Sequence, residues 1–306
     1  MSFAFSRRAF LTGASALGAT TLVAGCATNS AGTTSGDAAI KFDGEHQAGI
    51  TTAQQDRMHF AAFNVVTKER SELEELLKKW TAMARRMTRG ETTVDETIED
   101  VGQHSVPKDT GEAYDLEPAN LTITIGFGPS LFDDRFGLAS ARPKELKDLP
   151  KFSGDMLVDK LCGGDIAIQA CSDNPQVAIH AIRNLARAGS GVVEYKWSQL
   201  GFGHATATTR GQQTPRNLFG FKDGTNNIKA EDKDIVNEHV WVSGTDSWFD
   251  GGTFAASACS WKTGTARYLP TKRRPLDAPR AAALPWAAAT NSTSCHWTNT
   301  TALLAR

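Results

Sequence analysis

The sequence predicts an α+β fold, a ferredoxin-like antiparallel sheet with helices on one face. Three observations predict it. Short runs rich in β-branched and aromatic residues mark strands, and two longer stretches repeat apolar residues at helical spacing. These runs come in the order strand, helix, strand, strand, helix, strand, which suits helices sharing one face of an antiparallel sheet. The chain has 306 residues, enough for one large or two small domains.

The first strand is predicted over Met58–Val66. A helix follows, with Ser71 and Glu74 read as a capping box. Leu73, Leu76, Leu77, Trp80, Ala84 and Met87 form its apolar face, and Lys78, Lys79, Arg85 and Arg86 its solvated one. Residues 89–118 are polar and loop-like. Leu121–Gly128 is β-branched and ends in glycines, which suit either a strand-end turn or close backbone approach to a flat ligand. Residues 129–164 are a long connection, and Asp165–Cys171 is the next strand. Asn174-Pro175 opens the second helix with Pro at its first position, Ala178, Ala181, Ile182, Leu185 and Ala186 face inward, and Gly189 ends it. Val192–Trp197 is the last strand of this unit.

Lys and Arg number 33 against 34 Asp and Glu, so nothing in the overall charge suggests a nucleic-acid partner. Five cysteines, Cys26, Cys162, Cys171, Cys259 and Cys295, form no metal-spaced pair; Cys162 and Cys171 read as buried thiols rather than a disulfide. Glu45-His46-Gln47 fits no metal spacing, and His46 is assigned no chemistry. Trp241, Trp248 and Phe249 read as core or rim residues.

The stretch with chemical content is Arg216-Asn217-Leu218-Phe219-Gly220-Phe221-Lys222-Asp223-Gly224-Thr225-Asn226-Asn227. A bare Asp-Gly pair is a turn signal, because Asp bonds its own backbone and Gly accepts positive φ. Here the acid is flanked by two glycines and two phenylalanines. Such an acid can sit at the wall of an apolar cavity, where its pKa is tuned for proton transfer.

The run RNLFGFKDGTNN resembles the signature of the dye-decolorizing (DyP-type) haem peroxidases, in particular their exported, EfeB-like branch. The strings G-x-H-Q-A-G-I at Gly44–Ile50 and L-T-x-T-x-G-F-G at Leu121–Gly128 are similar to the same branch. The resemblance covers roughly residues 40–253. It implies two ferredoxin-like units, haem b held largely by the second, and Asp223 as the distal acid–base residue, with Gly220, Phe221, Gly224 and Thr225 lining the cofactor. It also implies hydrogen peroxide and an organic, dye-like reductant as partners, and leaves a homo-oligomer open. The EfeB-like branch is associated with iron acquisition, so a haem-handling, deferrochelatase-like protein is the alternative, and an inactive remnant the third reading.

The N-terminus reads as an export leader over residues 1–26. Arg7-Arg8 precedes an uncharged run, Leu11–Gly25, too short and too rich in Gly and Ala to span a membrane, which looks like a twin-arginine (Tat) signal to an extracytoplasmic or periplasmic location, with an ordinary Sec signal as the alternative. Val23-Ala24-Gly25-Cys26 resembles a lipobox, with Cys26 as the anchored residue. Residues 27–39 are a small, polar tether.

After Thr253 the character changes. Residues 255–306 contain one acid, Asp277, and no sustained period of 2 or 3.6. Read from the third base of each codon, Phe254–Arg267 can encode RRIRMLLENWDRT, and Pro285–Leu303 can encode MGGGNEFDELPLDEHDG. Both strings, with a shorter one from Pro275–Ala278 between them, resemble what the family carries after a Gly-Gly-Thr motif, present here as Gly251-Gly252-Thr253. Residues 254–306 are therefore expected to be frameshifted. By resemblance the proximal His and the distal Arg lie beyond this point, so haem binding and activity are expected to be lost; His296 is not promoted to the iron ligand.

Overall fold

The computed structural model describes residues 39–95, 104–148, 150, 157–202, 208–212, 226–244 and 248–255, with the backbone of three further strands, 259–263, 291–297 and 302–304. The chain divides into two compact units, Met1–Thr34 and Ser35–Arg306, and every described residue belongs to the second. The elements run β1 (Arg57–Val65), α1 (Arg70–Met87), β2 (Thr122–Phe127), β3 (Ile166–Ser172), α2 (Pro175–Ala188), β4 (Val193–Phe202), α3 (Lys233–His239), β5 (Thr253–Ala255), β6 (Cys259–Thr263), β7 (Asn291–Trp297) and β8 (Ala302–Leu304).

The expected order is present, and so is the sheet. Its strands lie in the order β4-β1-β3-β2-β8-β5, antiparallel throughout, while β6 and β7 form a separate pair. The first four are the ferredoxin-like arrangement. β1 is central, pairing with β3 from Arg57↔Ser172 to Phe63↔Ile166 and with β4 from Arg57↔Phe202 to Val65↔Val193.

Alternation decides which side chains meet the helices. Ala61, Phe63 and Val65 of β1, Ile123 and Ile125 of β2, and Ile166, Ile168 and Ala170 of β3 join one core with Leu73, Leu76, Trp80, Met83 and Met87 of α1 and Val177, Ala181, Ile182 and Leu185 of α2. The two helices are keyed together by Trp80. Its ring is fully buried against Phe63, and its indole Nε1 donates to the Leu185 carbonyl at 2.7 Å.

α2 starts and ends where expected. The Asn174 side chain accepts from Gln176 N at 2.9 Å, Pro175 opens the first turn, and Gly189 closes the helix. The capping box at Ser71 is not formed. α1 begins two residues earlier than that box implies, with Glu69 at the N-cap and no side-chain cap bond there. Thr67 takes the task from outside the helix: its hydroxyl accepts from Glu69 N at 3.1 Å and donates to Glu72. Glu74 instead pairs with Arg70 on the exposed face.

β4 runs five residues further than the expected end at Trp197, because Ser198–Phe202 continue the ladder on β1 despite their mixed character. Of the glycines ending β2, Gly128 serves close backbone approach, and its visitor is the chain itself. A Cβ at Gly128 would collide with the Gly164 carbonyl oxygen, while Gly128 N donates to Asp165 O at 2.8 Å. Cys162 and Cys171 are both free thiols, each half-buried rather than fully buried as expected, and desolvation pushes the Cys171 thiol up to about 12. Among the described residues, no helix is long and apolar enough to cross a membrane.

Candidate active site

Asp223, Gly220, Phe221, Gly224 and Thr225 lie outside the described residues. The structure describes the chain on both sides of them. The leading side, Thr208–Gln212, and the trailing side, Asn226–Asp232, are bonded to each other. Ala230 N donates to Thr208 O at 2.8 Å, Arg210 N donates to Glu231 Oε1 at 3.0 Å, and the Arg210 guanidinium meets Asp232 Oδ1 at 2.5 Å. The stretch carrying Asp223 therefore leaves from and returns to a closed neck.

That neck is held by an N-terminal strap, residues 42–55, which starts at α1, where Asp43 pairs with Arg85, and then crosses β2 on the face that carries Thr122 and Thr124. Gln47 exchanges two hydrogen bonds with the Ile125 backbone, at 2.9 and 3.0 Å, in the manner of a strand partner. Thr124 Oγ1 donates to Ala48 O at 2.7 Å, and Gln55 Nε2 donates to Thr122 Oγ1 at 3.0 Å. Gly49 has φ of +96° and lies so close to Thr124 Oγ1 that a Cβ would collide with it; only glycine suits both demands. Further along, Thr208 Oγ1 donates to Thr52 O at 2.7 Å. Gln212 Nε2 donates to Gln54 O at 3.0 Å, and Gln212 Oε1 accepts from Gln54 N at 3.3 Å.

The strap's other anchor is His46. Its ring lies flat on Trp241, with centroids 3.7 Å apart and planes 4° from parallel, and its Nδ1 meets Gly251 O at 2.8 Å. That contact sets the tautomer, with Nδ1–H as donor. Sequence reasoning gave His46 no role because its partner lies 205 residues away. Trp241 leads into a backbone pairing in which Val242 N donates to Gly252 O and Gly251 N to Val242 O. Beside it, Trp248, exposed at the rim, packs on Phe127, Phe132 and the buried Phe249, and Phe249 meets Phe254 edge-on. The core-or-rim expectation for Trp241, Trp248 and Phe249 holds.

A second polar cluster sits on the helix side. His180 of α2 is buried between two carboxylates, with Nδ1 3.2 Å from Glu112 and Nε2 3.7 Å from Asp109. Burial opposes ionisation of Asp109. Hydrogen bonds from the Thr93 and Gly111 backbone, and the nearby His180, outweigh it and hold the carboxyl below its ordinary range. The cluster borders a cavity of about 250 Å³ with Met87, Leu116 and Val177 in its wall. A shallower groove of about 450 Å³ lies between α2 and β4. Among the described residues no three His, Cys, Asp or Glu side chains are placed to hold a metal. His180 has a carboxylate at each ring nitrogen, His46 is stacked and bonded, and the other cavity has no histidine in its wall.

The chain matches two family models, Dyp-type peroxidase, N-terminal, over residues 47–203, and Dyp-type peroxidase, C-terminal, over residues 214–259. It is similar to the protein named deferrochelatase of Escherichia coli K12, 38% identical over 222 residues, which are 70% of this chain and 51% of that one. Deferrochelatase of Yersinia pseudotuberculosis is 37% identical over 219 residues, 70% of this chain and 49% of that protein. Among solved structures, a DyP-type peroxidase of Streptomyces coelicolor aligns with a TM-score of 0.63 at 34% identity, over 72% of this chain and 56% of that one. A DyP-type peroxidase of Cellulomonas bogoriensis aligns with a TM-score of 0.61 at 32% identity, over 73% and 58%. The chain spans about half the length of these relatives. With the first model alone matching residues 47–203, and a ferredoxin-like sheet in place, the chain belongs to the Dyp-type peroxidase family.

Proposed function

We propose that this chain carries the acid–base half of a haem-dependent peroxidase site, which in the complete protein reduces hydrogen peroxide and oxidises organic, dye-like molecules. The observation that carries the reading is the Gly220-x-x-Asp223-Gly224 signature, which falls inside the stretch matched by the C-terminal family model. Asp223 takes the proton from one peroxide oxygen and delivers it to the other; Gly220, Phe221, Gly224 and Thr225 line the cofactor. Bound haem supplies the redox chemistry. Asp223 and the residues taken to line the cofactor lie outside the described residues, and no step through the iron is assigned to the described ones. A second reading, removal or handling of iron from haem, is favoured by the relatives named deferrochelatase.

The same proposal takes the proximal His and the distal Arg to be encoded in another reading frame. Residues 254–306 are taken as out-of-frame translation of the family's C-terminal half, with the proximal His and the distal Arg encoded beyond the shift. Two observations support this. The acids all but vanish after Thr253, and the C-terminal family match stops at residue 259. Export by the Arg7-Arg8 leader, with an anchor at Cys26, belongs to the proposal and rests on those motifs.

The test has two parts. Genomic DNA is resequenced from codon 245 onward, and the third-base frame is expected to read through the RRIRMLLENWDRT string. A stop codon or an unrelated string there refutes the shift. The chain as given and a frame-restored chain are then reconstituted with haem. The restored chain should show a stable ferric Soret band and peroxide turnover, the latter lost in Asp223→Asn, and the chain as given should show neither. Intact haem with oxidised dye supports the peroxidase reading, and iron-free porphyrin the second one.

A further inference from the structure

We propose that the strap over residues 42–55 is a clasp that sets the neck of the Asp223-bearing stretch, and that His46 is its positioning residue. The inference rests on the reading of Asp223 given above for its meaning in catalysis, and on described residues for its geometry. The strap is fastened to the first ferredoxin-like unit by Gln47 on Ile125, Ala48 on Thr124 and Gln55 on Thr122. From that fixed base it reaches two points on the later chain. Thr52 and Gln54 take Thr208 and Gln212, just before the stretch, and His46 takes Trp241 and Gly251, after it.

The two points are coupled through the chain between them. Ala230 and Asp232 tie the trailing side to Thr208 and Arg210, and α3 then leads from Asp232 to Trp241 within one short helix. Freeing Trp241 and Gly251 releases the far end of α3, so the neck loses one of its two supports. His46 suits the task because two different interactions meet on one rigid ring. The stack fixes the plane of Trp241, and the Nδ1–H bond fixes the Gly251 carbonyl, next to the Val242–Gly252 pairing. An acid that must pass a proton between two oxygens needs its backbone held to a fraction of an ångström, and positioning residues outside the reacting set supply that restraint.

The experiment is amide hydrogen exchange on the full chain, comparing His46→Ala, His46→Gln, His46→Phe, Trp241→Ala and the His46→Ala/Trp241→Ala pair. In His46→Ala, exchange should quicken about tenfold or more across 226–232 and 240–252, while β1 and β3 amides are unchanged. His46→Gln keeps a donor and His46→Phe keeps the stack, so each should recover part of the protection. Trp241→Ala should add little on top of His46→Ala, because the two residues act through one contact. Quickening confined to residues 43–49 overturns the clasp. So does additivity of the two alanine variants, and so does equal loss at β1. These readouts need neither haem nor turnover, so a failure of Asp223→Asn to lose activity would refute the catalytic reading and leave the clasp standing.

Discussion

Replacing Trp80 tests the core that carries everything else. The side chain has no exposed surface, packs on Phe63 at 5.7 Å, and bonds the α2 carbonyl of Leu185 at 2.7 Å. Trp80→Phe removes the bond and part of the ring. The Leu185 carbonyl keeps a second partner, Gly189 N at 3.1 Å, so no buried acceptor is orphaned and only the net value of one bond is lost, about 1 kcal/mol. The missing ring atoms add roughly 1–2 kcal/mol of lost burial and unfilled space. Trp80→Ala empties the site and should cost about 4–5 kcal/mol, at the upper end for aromatic truncation, because β1, α1 and α2 meet there and none can close the gap alone. A domain of ordinary stability has only about 5–15 kcal/mol in total, so the alanine variant should be partly unfolded near 37 °C. The assay is urea unfolding followed by far-UV circular dichroism, with an unchanged slope required for a two-state comparison. Losses below about 1 kcal/mol for both variants would refute the claim that Trp80 keys the helices together.

Gly128→Ala sets a methyl against the Gly164 carbonyl and should cost about 1–3 kcal/mol in the same urea assay, with a wild-type midpoint refuting the close approach. Cys171, pushed up to about 12 by burial, should resist iodoacetamide at pH 8 in the folded chain and react on unfolding; rapid labelling of the native protein would count against its burial. His59 is held below the ordinary imidazole range by burial and has an unpartnered Nδ1, so the unfolded chain binds its proton first. Stability should therefore decline as pH falls below about 6.5, and His59→Phe should flatten that limb between pH 7 and 5; parallel pH profiles would refute it. Asp109 is depressed in the fold, so its contribution is present above about pH 4 and lost as pH falls through its lower folded value. Asp109→Asn should lack that acid limb in urea midpoints taken from pH 5 to 2.5, and an acid limb as steep as wild type would refute the assignment.

Most of the first unit is legible because its elements state themselves locally. Leu73, Leu76, Trp80, Ala84 and Met87 repeat at helical spacing, and Asn174-Pro175 with Gly189 brackets α2 from within a few residues. Legibility fails where the deciding partner is remote. Ser198–Phe202 carry no clean alternation, yet they are strand because β1 offers a ladder from Ser198↔Ala61 to Phe202↔Arg57. The capping box at Ser71 is out-competed by Thr67, whose hydroxyl reaches Glu69 and Glu72 from outside the helix. His46 shows the limit most plainly, since its ring is explained by Trp241 and Gly251 and by nothing nearby in sequence. Asp223 is the reverse case. Its proposed role rests on a short motif alone, and its surroundings lie outside the described residues.

The division of labour in this chain follows from where its contacts close. The β1-α1-β2-β3-α2-β4 unit and its connections supply nearly all of the core, with the helices covering one face of the sheet. Phe249 is the later chain's buried contribution to that core, with Val242 and Phe254 packed against it, so most of the unit's burial is independent of the chemistry. The converse does not hold. The neck at Thr208–Gln212 and Asn226–Asp232 and the Trp241–Gly252 pairing are too short to bury a core of their own, and small elements without a core take their position from what they touch. What they touch is the strap, and the strap is seated on β2. A change in the reading frame after Thr253 should therefore leave the first unit folded and the neck still clasped. It would remove only what the later chain adds, which the proposed function takes to include the iron's ligand. A chain that keeps native-like protection in β1, β3 and α2, yet takes up no haem, is the expected phenotype, and it separates loss of the cofactor from loss of the fold.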